Sequence, residues 1–196
     1  ELNRFWGFDR FVQFTDIPYR GFRYDLYGGI PDQYSLGFVR DSLLAQVGQP
    51  RFLFFITMSS HFPWYEPPPV VEDWRQLDGI QKMDKPEKIG KTIERYAASV
   101  RYELEVLTRF ILETEDDAFF ILVGDHQPAT LQDKLEGIFD AYAVPLHIIS
   151  KDEKLVQAFF DDGFSEGLLP DTSKIRLLRH EEIYPVVAEK LLQVSR

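Results

Sequence analysis

Two apolar runs flank a long stretch of helical periodicity, and this alternation constrains the fold more than any other feature of the chain. The first run is Phe52-Leu53-Phe54-Phe55-Ile56, bounded by Pro50 and Ser59-Ser60. A continuous run of that length predicts a strand buried on both faces. Between residues 89 and 113, Ile93, Ala97, Val100, Leu104, Leu107 and Ile111 recur at alternating steps of four and three, which predicts a long amphipathic helix with those residues as its buried stripe. Residues 118–123 and 144–149 form two further apolar runs and are expected as the second and third buried strands. Shorter helices are predicted over 35–47, ended by Gly48 and Pro50, over 155–160, and over 183–194 with Glu181 and Glu182 at its N-terminal end. Strands alternating with helices predict an α/β fold, a mostly parallel sheet with helices on both faces.

The connecting regions are polar or irregular. Residues 1–31 are dense in aromatics and glycine without a sustained period, and predict packed loop with short strands. Residues 63–88 carry five prolines and several charges, and predict a long surface excursion beside the first strand end. The acidic run Glu113, Glu115, Asp116 and Asp117 is expected to be a solvated connector between helix and strand.

In an open parallel sheet the ligand crevice lies beyond the carboxyl ends of the strands. Two features fall there. Gly124-Asp125-His126 follows the second run directly; glycine allows a sharp turn, and a carboxylate oxygen beside an imidazole nitrogen suits zinc or manganese. Asp125 as a cap of the next segment and His126 as an ordinary loop residue are the alternative. His61 follows the first run and is a candidate to hold a phosphate or sulfate ester or its leaving group, with a surface or capping histidine as the alternative. His147 lies inside an apolar run and reads as a hydrogen-bonded core residue, whereas His180 reads as a cap or surface residue. Thr57, Ser59 and Ser60 have no paired base and no Gly-x-Ser-x-Gly elbow, so they read as turn residues.

Composition excludes some classes. With 22 basic against 32 acidic residues the net charge is −10, which argues against a nucleic-acid partner. There are no cysteines, so disulfides, thiolate metal sites and thiol nucleophiles are absent. No apolar run reaches the roughly 18 residues of a membrane span. The chain begins at Glu1 rather than methionine and reads as cut from something longer.

Four stretches taken in order resemble the sulfatase/alkaline-phosphatase superfamily. They are Phe52 to Pro63, the Tyr96-Ala-Ala-Ser-Val-Arg-Tyr102 helix segment, Phe120-Ile-Leu-Val-Gly-Asp-His126, and Val144-Pro145-Leu146. Gly7-Phe8-Asp9 and Gly29-Ile30-Pro31-Asp32 are similar to segments upstream of these. The closest branch is that of membrane-anchored lipoteichoic acid synthases and phosphoglycerol transferases. The resemblance implies an alkaline-phosphatase-like α/β fold, incomplete at its N-terminus, with residues 1–196 the C-terminal part of a catalytic domain and the strongest match over 52–150. It further implies a divalent metal ion (Mn, Zn, Mg or Ca) on Asp125 and His126, and His61 on a phosphate- or sulfate-ester substrate. The nucleophile and an acidic metal ligand are expected upstream of residue 1, so the chain alone is expected to be inactive. The full-length protein is expected to be anchored in the cell membrane with this domain outside the cytoplasm. A non-catalytic binding domain of the same fold is the other reading. Gln127-Pro128 depart from the family, in which glycine often follows Gly-Asp-His.

Overall fold

A computed structural model describes residues 5–24, 29–45, 50–81, 93–114, 117–128, 143–169 and 176–194. The chain forms two compact units, Glu1–Glu113 and Thr114–Arg196.

In the first unit, helix α1 spans Asp32–Val39 and runs on into a π-helical turn over Arg40–Leu44. Pro31 precedes it, and its fixed φ suits a helix entrance. The helix begins three residues earlier than the apolar spacing predicts, and positions 46 and 47 of the predicted helix lie outside the described residues. One core cluster gathers Tyr19, Ile30, Tyr34, Trp74 and Leu77. Trp74 and Leu77 come from a 3-10 helix over Trp74–Gly79, whose N-cap Asp73 accepts the Arg75 N–H. The proline-rich excursion is therefore partly interior. Trp64 in the same stretch is among the most deeply buried side chains. Around residues 5–24 no strand forms among the described residues, but Tyr19 and Tyr24 are core residues.

Helix α2, Ile93–Glu113, matches the predicted helix; residues 89–92 lie outside the described residues. Its buried face differs from the predicted stripe. Ser99, Tyr102, Glu103 and Val106 are buried, while Leu104 is 54% exposed and Ile93 is also exposed. Tyr102 and Val106 pack with Leu36 of α1, so the partner helix selects the face next to the apolar stripe. Residues 52–56, expected as a buried strand, have no strand pairing, and Phe52 is 77% exposed. Phe8 stacks on both Phe52 and Phe54. Apolar content alone does not make a strand; a strand needs a hydrogen-bonding neighbour, and this segment has no ladder partner among the described residues.

In the second unit, β1 (Phe119–Val123) and β2 (Leu146–Ser150) pair antiparallel, with Phe119 opposite Ser150 and Val123 opposite Leu146. The sheet seen among the described residues is thus two-stranded and antiparallel rather than mostly parallel. Apolar runs read alike in both directions, so their composition does not encode strand sense. Nor are these strands buried on both faces, since Ile121 and Val123 are exposed. Phe119 and Ile148 share one sheet face and pack on Leu155, Phe159 and Val187. Those come from α3 (Glu153–Gln157), the turn after it, and α4 (His180–Val194). Asp152 caps α3 by accepting the Lys154 and Leu155 N–H groups. The predicted helix over 155–160 starts earlier, at Glu153, and is followed by a 3-10 turn over Phe160–Asp162.

Candidate functional site

The Asp125–His126 pair sits at the end of β1. Gly124 is required there by close approach: a Cβ on it would lie 2.9 Å from Val144 Cβ. The Gly124 N–H donates to the Pro145 carbonyl at 3.1 Å, and His180 Nε2 meets the Gly124 carbonyl at 3.2 Å. Gln127 Nε2 donates to the Ala143 carbonyl at 2.6 Å, fixing the far side of the loop. The departure at Gln127 thus has a structural use. His180, the first residue of α4, is exposed as expected but also holds this loop.

Within the loop, the two candidate ligands converge. His126 Nε2 lies 3.3 Å from Asp125 Oδ2, and the side chains are 68% and 82% exposed. The His126 N–H donates to Asp125 Oδ1 at 2.8 Å, which pulls the carboxylate back over the following residue. His126 Nδ1 lies 3.1 Å from the Gln127 carbonyl. A proton on Nδ1, donated to that carbonyl, leaves the Nε2 lone pair facing Asp125 Oδ2. Nitrogen and oxygen ligands at about 2.0–2.2 Å from one metal ion are roughly 3.0–3.5 Å apart. The observed separation fits two adjacent vertices of one coordination sphere. Among the described residues no three His, Cys, Asp or Glu side chains gather to hold a metal.

His61 lies in the first unit, on the turn Ser59-Ser60-His61, with its N–H donating to the Met58 carbonyl at 3.0 Å. The segment before it is not a strand, so the expectation that His61 follows a strand end fails. The turn is anchored from two sides. Trp64 Nε1 donates to the Ser60 carbonyl at 3.2 Å, and the indole is braced by the rings of Phe62 and Tyr96 at 5.3 and 5.1 Å. From the other side, Asp32 Oδ2 accepts the Met58 N–H at 2.7 Å and the Ser59 N–H at 2.5 Å, while the Asp32 N–H donates to Ser59 Oγ at 3.2 Å. Ser59 and Ser60 lie on the turn, as expected, whereas Thr57 precedes it.

Asp32 was legible only as part of a similar upstream stretch, and Glu103 not at all. Both carboxyls are buried, 2% and 6% exposed. Burial raises the Asp32 carboxyl, opposed by its hydrogen bonds to Glu103, Ser59 and Met58. Burial, then the Asp32 charge, then the hydrogen bond to Asp32 push Glu103 well above the usual carboxylate range. Tyr102 beside them is also raised, by burial and then by the charge of Asp32. A signal existed in the sequence only as a glutamate one position off an apolar stripe. His147 is half-buried on β2 opposite Leu122. Glu113 of the acidic run pairs with Arg40 at 2.5 Å; residues 115 and 116 lie outside the described residues.

A family model described as Sulfatase matches residues 3–163. No curated protein and no solved structure matches the chain.

Proposed function

The chain belongs to the sulfatase family, and on that premise we propose that it is a metal-dependent phospho- or sulfo-ester enzyme, hydrolase or transferase. The family carries the α/β alkaline-phosphatase-like fold and acts on sulfate or phosphate esters with a divalent ion. In our reading Asp125 and His126 are metal ligands and His61 contacts the ester. The observation that carries this reading is the 3.3 Å approach of His126 Nε2 to Asp125 Oδ2 on a stapled loop.

A divalent ion there supplies charge stabilisation to the nucleophile and the transferred group. The chain's own residues do the rest of what can be derived. Asp125 contributes a carboxylate whose Oδ1 is engaged by the His126 N–H and whose Oδ2 faces His126 Nε2. His126 contributes a lone pair oriented by the Gln127 carbonyl. His61 offers an imidazole N–H to a non-bridging ester oxygen, or a proton to the leaving group. Further ligands and the nucleophile belong to residues other than these. The motif order across 52–150 supports kinship with lipoteichoic acid synthases and phosphoglycerol transferases, and with it a membrane-anchored protein acting outside the cytoplasm. Among the described residues, no helix is long and apolar enough to cross a membrane.

Calorimetric titration of Mn²⁺ and Zn²⁺ into the chain tests the assignment. Binding is expected in the parent and is expected to be lost in both Asp125→Ala and His126→Ala. Affinity unchanged in either variant refutes the pair as ligands. The second reading is a sulfatase-like binding domain without turnover. Metal-dependent cleavage of an aryl phosphate or sulfate by the protein would exclude it.

A further inference from the structure

The turn that presents His61 is held by a carboxyl pair that, as two anions, could not coexist there. Asp32 and Glu103 are buried on facing helices, α1 and α2. Both Glu103 carboxyl oxygens are shut off from water and meet no donor when Glu103 is counted as a carboxylate. The neighbouring carboxyl is Asp32, and two ionised carboxylates are acceptors only. Asp32 already receives two backbone N–H groups, which favour its anionic form. A single proton resolves the contradiction. Placed on Glu103, it turns one orphaned oxygen into a donor toward Asp32 and removes the repulsion between two buried charges.

We propose that one proton, held on Glu103 and donated to Asp32, keeps Asp32 as an anionic clamp on the Met58 and Ser59 backbone, making both positioning residues for His61. Their bearing on catalysis rests on the ester contact assigned to His61 above. The clamp itself does not. Among the described residues, the other titratable groups around the pair are phenols: Tyr102, which feels the charges of Asp32 and Glu103, and Tyr24 beside it. Both phenols are raised, chiefly by burial, so neither brings a charge near neutral pH. Ser59 Oγ is a further polar neighbour and accepts the Asp32 N–H.

The test is nuclear magnetic resonance on the whole chain, with three readouts. First, in the parent near neutral pH the Glu103 carboxyl carbon is expected at its protonated shift and that of Asp32 at its ionised shift. Both carbons at ionised shifts would overturn the proposal. Second, Asp32→Ala is expected to move the Met58 and Ser59 amide protons upfield and to speed their exchange by about tenfold or more. Glu103→Gln, whose amide donates to Asp32 as the acid does, is expected to leave both amides as in the parent. That rescue would not follow from simple packing, and amides in Glu103→Gln that behave as in Asp32→Ala would overturn the clamp. If Asp32→Ala fails to fold, the carboxyl shifts and Glu103→Gln still decide. Third, inorganic phosphate is titrated against the His61 ring signals. Phosphate that moves them in the parent and Glu103→Gln, but more weakly in Asp32→Ala, supports the link to substrate. Phosphate that never moves them overturns the ester contact, while the first two readouts decide the clamp.

Discussion

Gly37 sits on the face of α1 that meets Trp74, and its replacement by alanine tests how tightly that contact is built. A Cβ at position 37 would lie 2.3 Å from Trp74 Cγ and Cδ1 and 2.6 Å from Cδ2. Ordinary carbon contacts are about 3.5–4.0 Å, so the indole must retreat by more than about 1 Å. It has little room. Tyr34 packs edge-on against it at 4.7 Å, and the Arg75 guanidinium covers the ring at 4.2 Å. Alanine gains roughly 0.5–1 kcal/mol over glycine inside a helix. Overpacking a rigid contact costs about 1–3 kcal/mol. The clash is with a ring and not with the end of a flexible chain, so the upper part of that range applies. Gly37→Ala is therefore expected to destabilise the first unit by about 1–2 kcal/mol despite its better helix propensity. All three tryptophans, Trp6, Trp64 and Trp74, lie in this unit, so urea unfolding followed by tryptophan fluorescence reports on it directly. In a Trp74→Leu background, whose side chain can swing its methyls away, the same substitution is expected to be neutral or stabilising by up to about 1 kcal/mol. The coupling between the two sites is then roughly 2 kcal/mol. A Gly37→Ala chain as stable as the parent, or an equal loss in both backgrounds, would refute the reasoning.

Glu103 binds its proton more tightly in the folded chain than in the unfolded one, so its contribution to stability is fullest at acid pH. It declines as pH rises from the ordinary carboxyl value, about 4.3, toward the raised folded value, by at most about 1.4 kcal/mol per pH unit. Glu103→Gln is expected to flatten that decline in urea midpoints measured across pH; an unchanged slope would show that Glu103 is not the group responsible. In the second unit Phe159 is almost fully buried and packs against Phe119 and Phe164 at 6.0 and 5.4 Å. Phe159→Ala is expected to cost about 3–5 kcal/mol, seen as faster amide exchange along β1 and α4, and protection unchanged there would count against this cluster as the unit's core.

Legibility in the sequence followed the range of the interaction. The helix over residues 93–113 was readable because its period is local, and so was the place of Gly124-Asp125-His126 directly after an apolar run, because the residues are consecutive. Asp125 and His126 could be named as a pair for the same reason: adjacent residues are near enough in the chain for their tips to come within 3.3 Å. His61 could be named, but not what holds it. The Asp32 clamp joins α1 to a distant turn, and Glu103 reaches it from α2. No local period encodes such a meeting.

The sequence by itself therefore determined which segments could be helical, where glycine and proline break them, and which side chains could offer metal-ligand chemistry. Tertiary structure decided the rest. It set the antiparallel sense of β1 and β2, because an apolar run has no direction of its own. It chose the buried face of α2, because burial follows the partner surface offered by Leu36 and its neighbours and not the richest apolar stripe. It left residues 52–56, with Phe52 and Phe54 exposed, without a ladder partner among the described residues, and a strand needs another segment to take its hydrogen bonds. And it brought two carboxyls together in a dry interior, where the repulsion of like charges, weak in water, is strong enough to decide where a proton resides.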